Sequence, residues 1–434
     1  MTTSSKELCT STGGELYCGV KNMLRCDEAE VVHGIAGYIV SQHWALRLFS
    51  NLIERTRHTP VPGFIGLMGW SRSFLSVRPG RHQNGAVWIA RLSNERRAIE
   101  RMMLFARDLS WAELKFDFHP DAAALSALSK NLSPRRIFKL VRRLRRYDFF
   151  KVWRVIEFIA YYTRYLDIFQ NSRFDLAVMS SHSNPHGLAF NLVARKHGVP
   201  VVLITHGMPI RPVARLSYDL AVVHCEAARR IYDEEGCQID YVLTHGRQQD
   251  YVPMPSRLPA QLTVGIFLCK DVNEKCLQAL VTRLLSEANV SALRIRPHPK
   301  NLWVGLEDWV AAQREPRLAL SSGASVFQDV KFVDLVLGGN SSVLIDAVIA
   351  GRPSGYMIDL DHGPHDLHRF VECGLIYSME DKSGSFHWNP DLMLRFYQRP
   401  GWLNVLRDFA NIDEDENTVG LRMAAKLRQL KKHE

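Results

Sequence analysis

Leu335-Val336-Leu337-Gly338-Gly339-Asn340-Ser341-Ser342-Val343-Leu344-Ile345-Asp346-Ala347 is the stretch that decides the fold. A short apolar run ends in two glycines, polar residues able to cap a helix follow, and a new apolar segment begins, which reads as strand, turn, helix. The helix is expected over Ser342–Ala350, ending at Gly351-Arg352-Pro353, with a strand at Ser354–Ile358.

The same alternation runs upstream. Strand Leu262–Phe267, helix Val272–Ala288, strand Ala292–Arg296, helix Gly305–Arg314, strand Leu318–Leu320 and helix Ala324–Lys331 lead into it, and a last helix is expected near Val419–Leu430. Before the proline-rich Val252–Pro259 lies a second series: strand Phe174–Met179, helix Pro185–His197, strands Val199–Ile204 and Asp219–Val223, helix Cys225–Glu235 and strand Ile239–Leu243. Short apolar runs alternating with helices of about a dozen residues predict parallel βαβ units. The prolines read as a linker, which gives two α/β domains, 1–255 and 256–434, facing across a cleft.

Earlier segments are less regular. Residues 1–30 are polar and mixed. Strands are expected at Phe64–Trp70 and Ala86–Leu92, and a helix at 95–107. Residues 134–166 interleave Arg135, Arg136, Lys139, Arg142, Arg143, Arg145 and Arg146 with apolar side chains and then with aromatics, the pattern of basic amphipathic helices. Such a region is a solvated helix face, an anionic-lipid surface or a nucleic-acid patch, and no nucleic-acid motif accompanies it.

The chain has 434 residues, 46% of them hydrophobic and 23% charged, which excludes a disordered chain. Its net charge of +10 favours anionic partners. Eight cysteines without zinc-like spacing fit reduced thiols in a cytoplasmic protein. No apolar run reaches membrane-spanning length.

Three stretches carry candidate chemistry. Gly339, Asn340, Ser341 and Ser342 open a helix, where free N–H groups attract an anion and the glycines let a ligand approach. Arg296-Pro297-His298-Pro299 holds an imidazole between two prolines at a strand end, able to bind a phosphate or stabilise it as it leaves. Val201–Ile204 ends in Thr205-His206-Gly207, making His206 a general base or an acceptor-binding group, with Gly207 leaving room beside it. His245 repeats the strand-His-Gly pattern. Asp359 and Asp361, with His362, His365, Asp366 and His368, suit donor recognition or loop structure, and their spacing is not that of a metal site.

These motifs resemble those of the two-domain GT-B transferases of bacterial surface polymers: teichoic-acid glycerophosphotransferases, Kdo transferases of capsule assembly, and sialyltransferases with His-Pro and Ser-Ser motifs. The resemblance spans Phe174–Asp366 and implies two Rossmann-like domains, with His298, Ser341 and Ser342 holding the donor phosphate and His206 assisting acceptor deprotonation. Met208 stands where the glycerophosphotransferases have threonine, and the acidic motif of polysialyltransferases is missing. The implied activity is transfer of a sugar or polyol-phosphate from a nucleotide donor, CMP- or CDP-linked, to a hydroxyl of a polysaccharide or lipid-linked acceptor. Neither metal nor cofactor is expected, and no nucleic acid. The location implied is the inner face of the cell membrane, held by its anionic surface. A nucleotide-sugar 2-epimerase and a non-catalytic glycan-binding protein are the alternatives.

Overall fold

The computed structural model describes residues 77–79, 84–116, 149–209, 211–246, 250–299, 301–321, 323, 325–380 and 386–431. The expected strand Phe64–Trp70 and the basic residues 135–146 lie outside them. The chain divides into two compact units, the first formed by 1–223, 228–244 and 419–434, the second by 224–227 and 245–418.

The first unit is built on β1 (Val77–Pro79), β2 (Asn84–Ile89), β3 (Trp111–Phe116), β4 (Arg173–Met179), β5 (Val201–Ile204), β7 (Leu220–Val223) and β9 (Val242–Thr244), in the order β1-β3-β2-β4-β5-β7-β9. The short strands β6 (Ser217–Tyr218) and β8 (Gln238–Ile239) pair separately. All pairings in the large sheet are parallel except that of β1 with β3. Alternate residues Ala86, Trp88, Leu176, Val178, Val202, Ile204, Leu220 and Val222 form one buried layer. Val87, Ala177, Met179, Val201, Leu203 and Ala221, between them in sequence, are buried as well. A strand buried on both faces has no polar side to show, which explains the continuous apolar runs.

Helix α1 (Ser93–Met103) follows β2, α2 (Phe149–Gln170) precedes β4, α3 (Pro185–Lys196) joins β4 to β5 and α4 (Glu226–Glu234) follows β7. On α2 and α3, Tyr165 meets Phe190 edge-on at 5.4 Å, and Phe169 meets Phe190 at 5.8 Å.

In the second unit β10 (Leu262–Phe267), β11 (Val290–Arg296), β12 (Leu318–Leu320), β13 (Leu335–Gly338), β14 (Ser354–Tyr356) and β15 (Tyr377–Ser378) form an all-parallel sheet in the order β12-β11-β10-β13-β14-β15. Helices α5 (Glu274–Leu285), α6 (Leu306–Ala312), α7 (Val326–Lys331) and α8 (Val343–Ile349) alternate with the first five strands. This is the doubly wound, Rossmann-like arrangement. The strand order reverses between β10 and β13, and ligands of such sheets lie beyond the strand C-termini at the reversal. The corresponding reversal in the first unit falls between β2 and β4.

Helices α9 (Pro390–Gln398) and α10 (Trp402–Phe409) complete the second unit, and α11 (Glu416–Lys431) ends the described chain. Sequence reading grouped the last helix with the second domain. From Val419 it instead joins the first unit, where Met423, Ala424 and Leu427 enter the cluster containing Trp88, Ile99 and Val178. Its apolar stripe fits any sheet face left open, and periodicity does not say which. Arg428 pins it with two 2.8 Å bonds to the Asp108 carboxylate. Leu427→Ala is therefore expected to destabilise the first unit by about 3 kcal/mol, seen as a loss in urea midpoint.

Candidate functional site

The C-terminal edge of each sheet gathers groups able to do chemistry. In the first unit β2 leads to Arg91 and to Glu95 in the first turn of α1. Strand β4 leads to Ser180-Ser181-His182, and β5 to Thr205-His206. Met179 pairs with Leu203, so the last two of these loops leave from neighbouring strands. They meet: Ser180 Oγ lies 2.9 Å from His206 Nδ1. His206 keeps part of its surface open to solvent, and a Cβ on Gly207 would face open space, so a substrate can reach this edge.

The chain around His206 holds its pKa below the ordinary 6.5 through loss of water, while Glu95 pulls the other way. His206 is thus neutral at neutral pH, as a base must be. Glu95 is buried, with Oε2 accepting the N–H groups of Arg91 and Leu92 at 2.8 and 3.0 Å. Its Oε1 has no hydrogen-bond partner among the described residues. A fixed carboxylate near an imidazole stabilises the imidazolium that forms on proton abstraction.

Two members of this set, His182 and Glu95, escaped the sequence reading. Tyr232 OH lies 3.0 Å from His182 Nδ1, with the rings edge-on at 5.4 Å. Burial, and then the nearby His206, hold His182 down to about 4. The missed signal was that Ser180-Ser181-His182 also puts a histidine just beyond a strand. Backbone packing fixes this loop, because a Cβ on Gly187 of α3 would overlap the Ser181 carbonyl. His245 also follows a strand directly, but it groups with the second unit, its ring 6.3 Å from that of His224.

In the second unit the loops after β10, β11, β13 and β14 surround the strand-order reversal. The β11 and β13 ends flank β10 and lie about 10 Å apart. The His298 loop folds towards the β10 loop: the Leu302 N–H donates to the Lys270 carbonyl at 3.0 Å, and the His298 carbonyl accepts from Asn301 at 2.8 Å. His298 is half-buried, whereas Lys270 and Ser342 are exposed. Lys270 has no ion-pair partner among the described residues, and it too was absent from the sequence reading. It is a lone lysine after an apolar strand, and only the topology marks its position.

Arg296, Gly339 and Asn340, also expected at the donor phosphate, have structural work instead. Arg296 Nη1 is bound by the Asp329 carboxylate and the Gly323 carbonyl, bracing α7 against β11. The Asn340 amide donates to Asp361 at 3.0 Å and to the Pro364 carbonyl at 2.8 Å, and its Oδ1 accepts from Leu367 N at 2.8 Å. The glycine pair does not open space for a ligand: a Cβ on Gly339 would overlap Asp361 Oδ2. Asp361 also accepts the backbone N–H groups of Asn340 at 2.7 Å and Gly363 at 2.8 Å. The absent Cβ serves an internal carboxylate that ties the β14 loop across the end of β13. Neither Asn340 nor Ser341 occupies the N-cap; Ser342 does, without a side-chain bond, while Ser341 Oγ accepts from Val343 N at 3.4 Å. Among the described residues, no group of three His, Cys, Asp or Glu side chains is gathered to hold a metal ion.

Asp359 is exposed at a φ of 60°, a conformation aspartate tolerates. Beside it, the Glu380 oxygens lie 2.8 and 3.1 Å from Ile358 N, and burial followed by the Asp359 charge pushes Glu380 up to about 7. A carboxyl raised by folding contributes stability below its unfolded pKa, and that stability is lost as pH rises through the folded one. Thermal unfolding is therefore expected to become easier between about pH 4.5 and about pH 7, and Glu380→Gln should flatten that slope.

No protein-family model matches the chain, and no curated protein does. Among solved structures it is similar to the glycotransferase of kitacinnamycin, at 10% identity and a TM-score of 0.49 over 81% of this chain and 99% of that one. It is similar also to the calicheamicin glycosyltransferase CalG4, at 12% identity and a TM-score of 0.46 over 81% and 99%. A third is UDP-GlcNAc 2-epimerase from Neisseria meningitidis bound to UDP-GlcNAc, at 11% identity and a TM-score of 0.44 over 79% and 99%. These likenesses assign no chemistry to this chain. No helix among the described residues is long and apolar enough to cross a membrane.

Proposed function

We propose that this chain is a GT-B-type glycosyltransferase, or a related polyol-phosphate transferase, acting from a nucleotide donor onto a hydroxyl. The observation that carries the reading is the His206 imidazole bonded to Ser180 at the C-terminal edge of a parallel sheet, where loss of water lowers its pKa against the pull of Glu95. Donor binding is assigned to the second unit, at its strand-order reversal. There Lys270, His298, Ser341 and Ser342 bind the donor phosphate and stabilise its charge as the bond to the transferred group breaks. His206 Nε2 takes the proton of the acceptor hydroxyl, and Glu95 stabilises the imidazolium so formed. Asp359, exposed on the β14 loop, is available for donor recognition.

The motif resemblance favours a cytidine donor and a surface-polymer acceptor. The basic run Arg135–Arg146 suits an anionic membrane surface where a lipid-linked acceptor is presented. A thermal-shift panel of CMP, CDP, UDP and GDP tests the donor, because a nucleotide that binds only the folded chain raises its melting temperature by mass action. Stabilisation by a cytidine nucleotide alone supports the reading, whereas a UDP-only response moves it to hexosyl transfer. A carboxylate beside a histidine also suits a nucleotide-sugar 2-epimerase. Epimerisation of a nucleotide sugar without acceptor would replace transfer with that reaction.

A further inference from the structure

We propose that His182 is the second half of a hydrogen-bonding pair with His206, one ring a donor and the other an acceptor, matched to a single substrate hydroxyl. The proposal deepens the transferase reading and rests on it for the substrate. The placement comes from the sheet. His182 follows β4, one of the two strands at the reversal, and His206 follows β5, its parallel neighbour. The 2.9 Å contact from Ser180 to His206 ties the two loops together two residues before His182. Loss of water holds both rings below the ordinary histidine pKa, and charge on His206 further disfavours charge on His182.

A neutral imidazole has one N–H and one bare nitrogen, and the partner of one nitrogen sets the role of the other. At His182 the buried Tyr232 hydroxyl reaches Nδ1. With Tyr232 donating there, the ring proton sits on Nε2 and His182 becomes a donor. At His206 a base on Nε2 requires the proton on Nδ1, where Ser180 Oγ accepts it. One bare Nε2 and one Nε2–H then stand on adjacent strand ends. An ammonium group needs two acceptors and a carboxylate needs two donors, whereas an alcohol needs one of each. The pair therefore selects an alcohol, fixes its oxygen through His182 and directs its proton to His206. Burial of Tyr232 keeps water from competing for its bond to His182.

The test is the tautomer of each ring, read by nitrogen NMR on the full chain labelled at histidine and assigned with His182→Gln and His206→Gln. Nε2–H on His182 and Nδ1–H on His206 are expected, and Tyr232→Phe, which keeps the ring packing, should leave His182 as a mixture. The same tautomer on both rings, or a His182 ring unmoved by Tyr232→Phe, overturns the pair. Transfer assays give the second readout. His182→Ala should raise the KM for an alcohol acceptor about tenfold, the value of one lost hydrogen bond, with the donor KM unchanged and partial rescue by His182→Gln. An unchanged acceptor KM also overturns it. If the tautomers are as expected and no nucleotide donor is turned over with any alcohol, the transferase reading fails while the pair stands.

Discussion

Replacing His206 with alanine is expected to lower kcat roughly 10²–10⁴-fold, the usual contribution of a positioned general base. Nucleotide affinity should be unchanged, because the proposed phosphate ligands belong to the second unit. The wild-type pH profile gives the sign independently. A base works unprotonated, so the rate falls as pH drops through its pKa, and for His206 that limb lies below the ordinary 6.5. Since Glu95 raises the His206 pKa, Glu95→Gln should shift the limb further towards acid and lower the plateau. An alanine variant retaining full turnover, or a limb above the ordinary histidine value, removes His206 from the role of base.

Replacing Asp361 with alanine is expected to cost about 4 kcal/mol, because bonds to a charged acceptor contribute about 1.5–3 kcal/mol each and do not add in full. Three N–H donors lose their acceptor together: Asn340 N, Asn340 Nδ2 and Gly363 N. Urea unfolding measures the loss. Nucleotide binding should weaken with it, since the β13 and β14 loops are held together through this carboxylate. Gly339→Ala tests the same packing from the other side, as its methyl group would displace the carboxylate without removing it. A variant with wild-type stability would mean that the carboxylate contributes nothing net to holding the loops.

Leu262–Phe267 and Leu318–Leu320 were legible to the residue, because each is a short, mainly apolar run bounded by polar or turn-forming residues. Trp111–Phe116 was not, because Glu113 and Lys115 break its apolar run. Ile239–Leu243 was read as one strand, yet the chain bends between β8 and β9 and sends them to different sheets. His206 and His298 stood out because glycine or proline beside them marked a strand end. His182 and Lys270 carried no such marker. At Gly339 the missing side chain was read as room for a ligand, but that room is taken by Asp361.

By itself the sequence determined two parallel α/β units and where most of their strands end, since apolar period and turn chemistry are local properties that each segment carries alone. Which strand lies beside which, and so which loops share an edge, depends on contacts between residues far apart in the chain. Tertiary structure alone therefore committed Arg296 to Asp329, brought Ser180 to His206, put Glu95 within its field, and returned the last helix to the first unit.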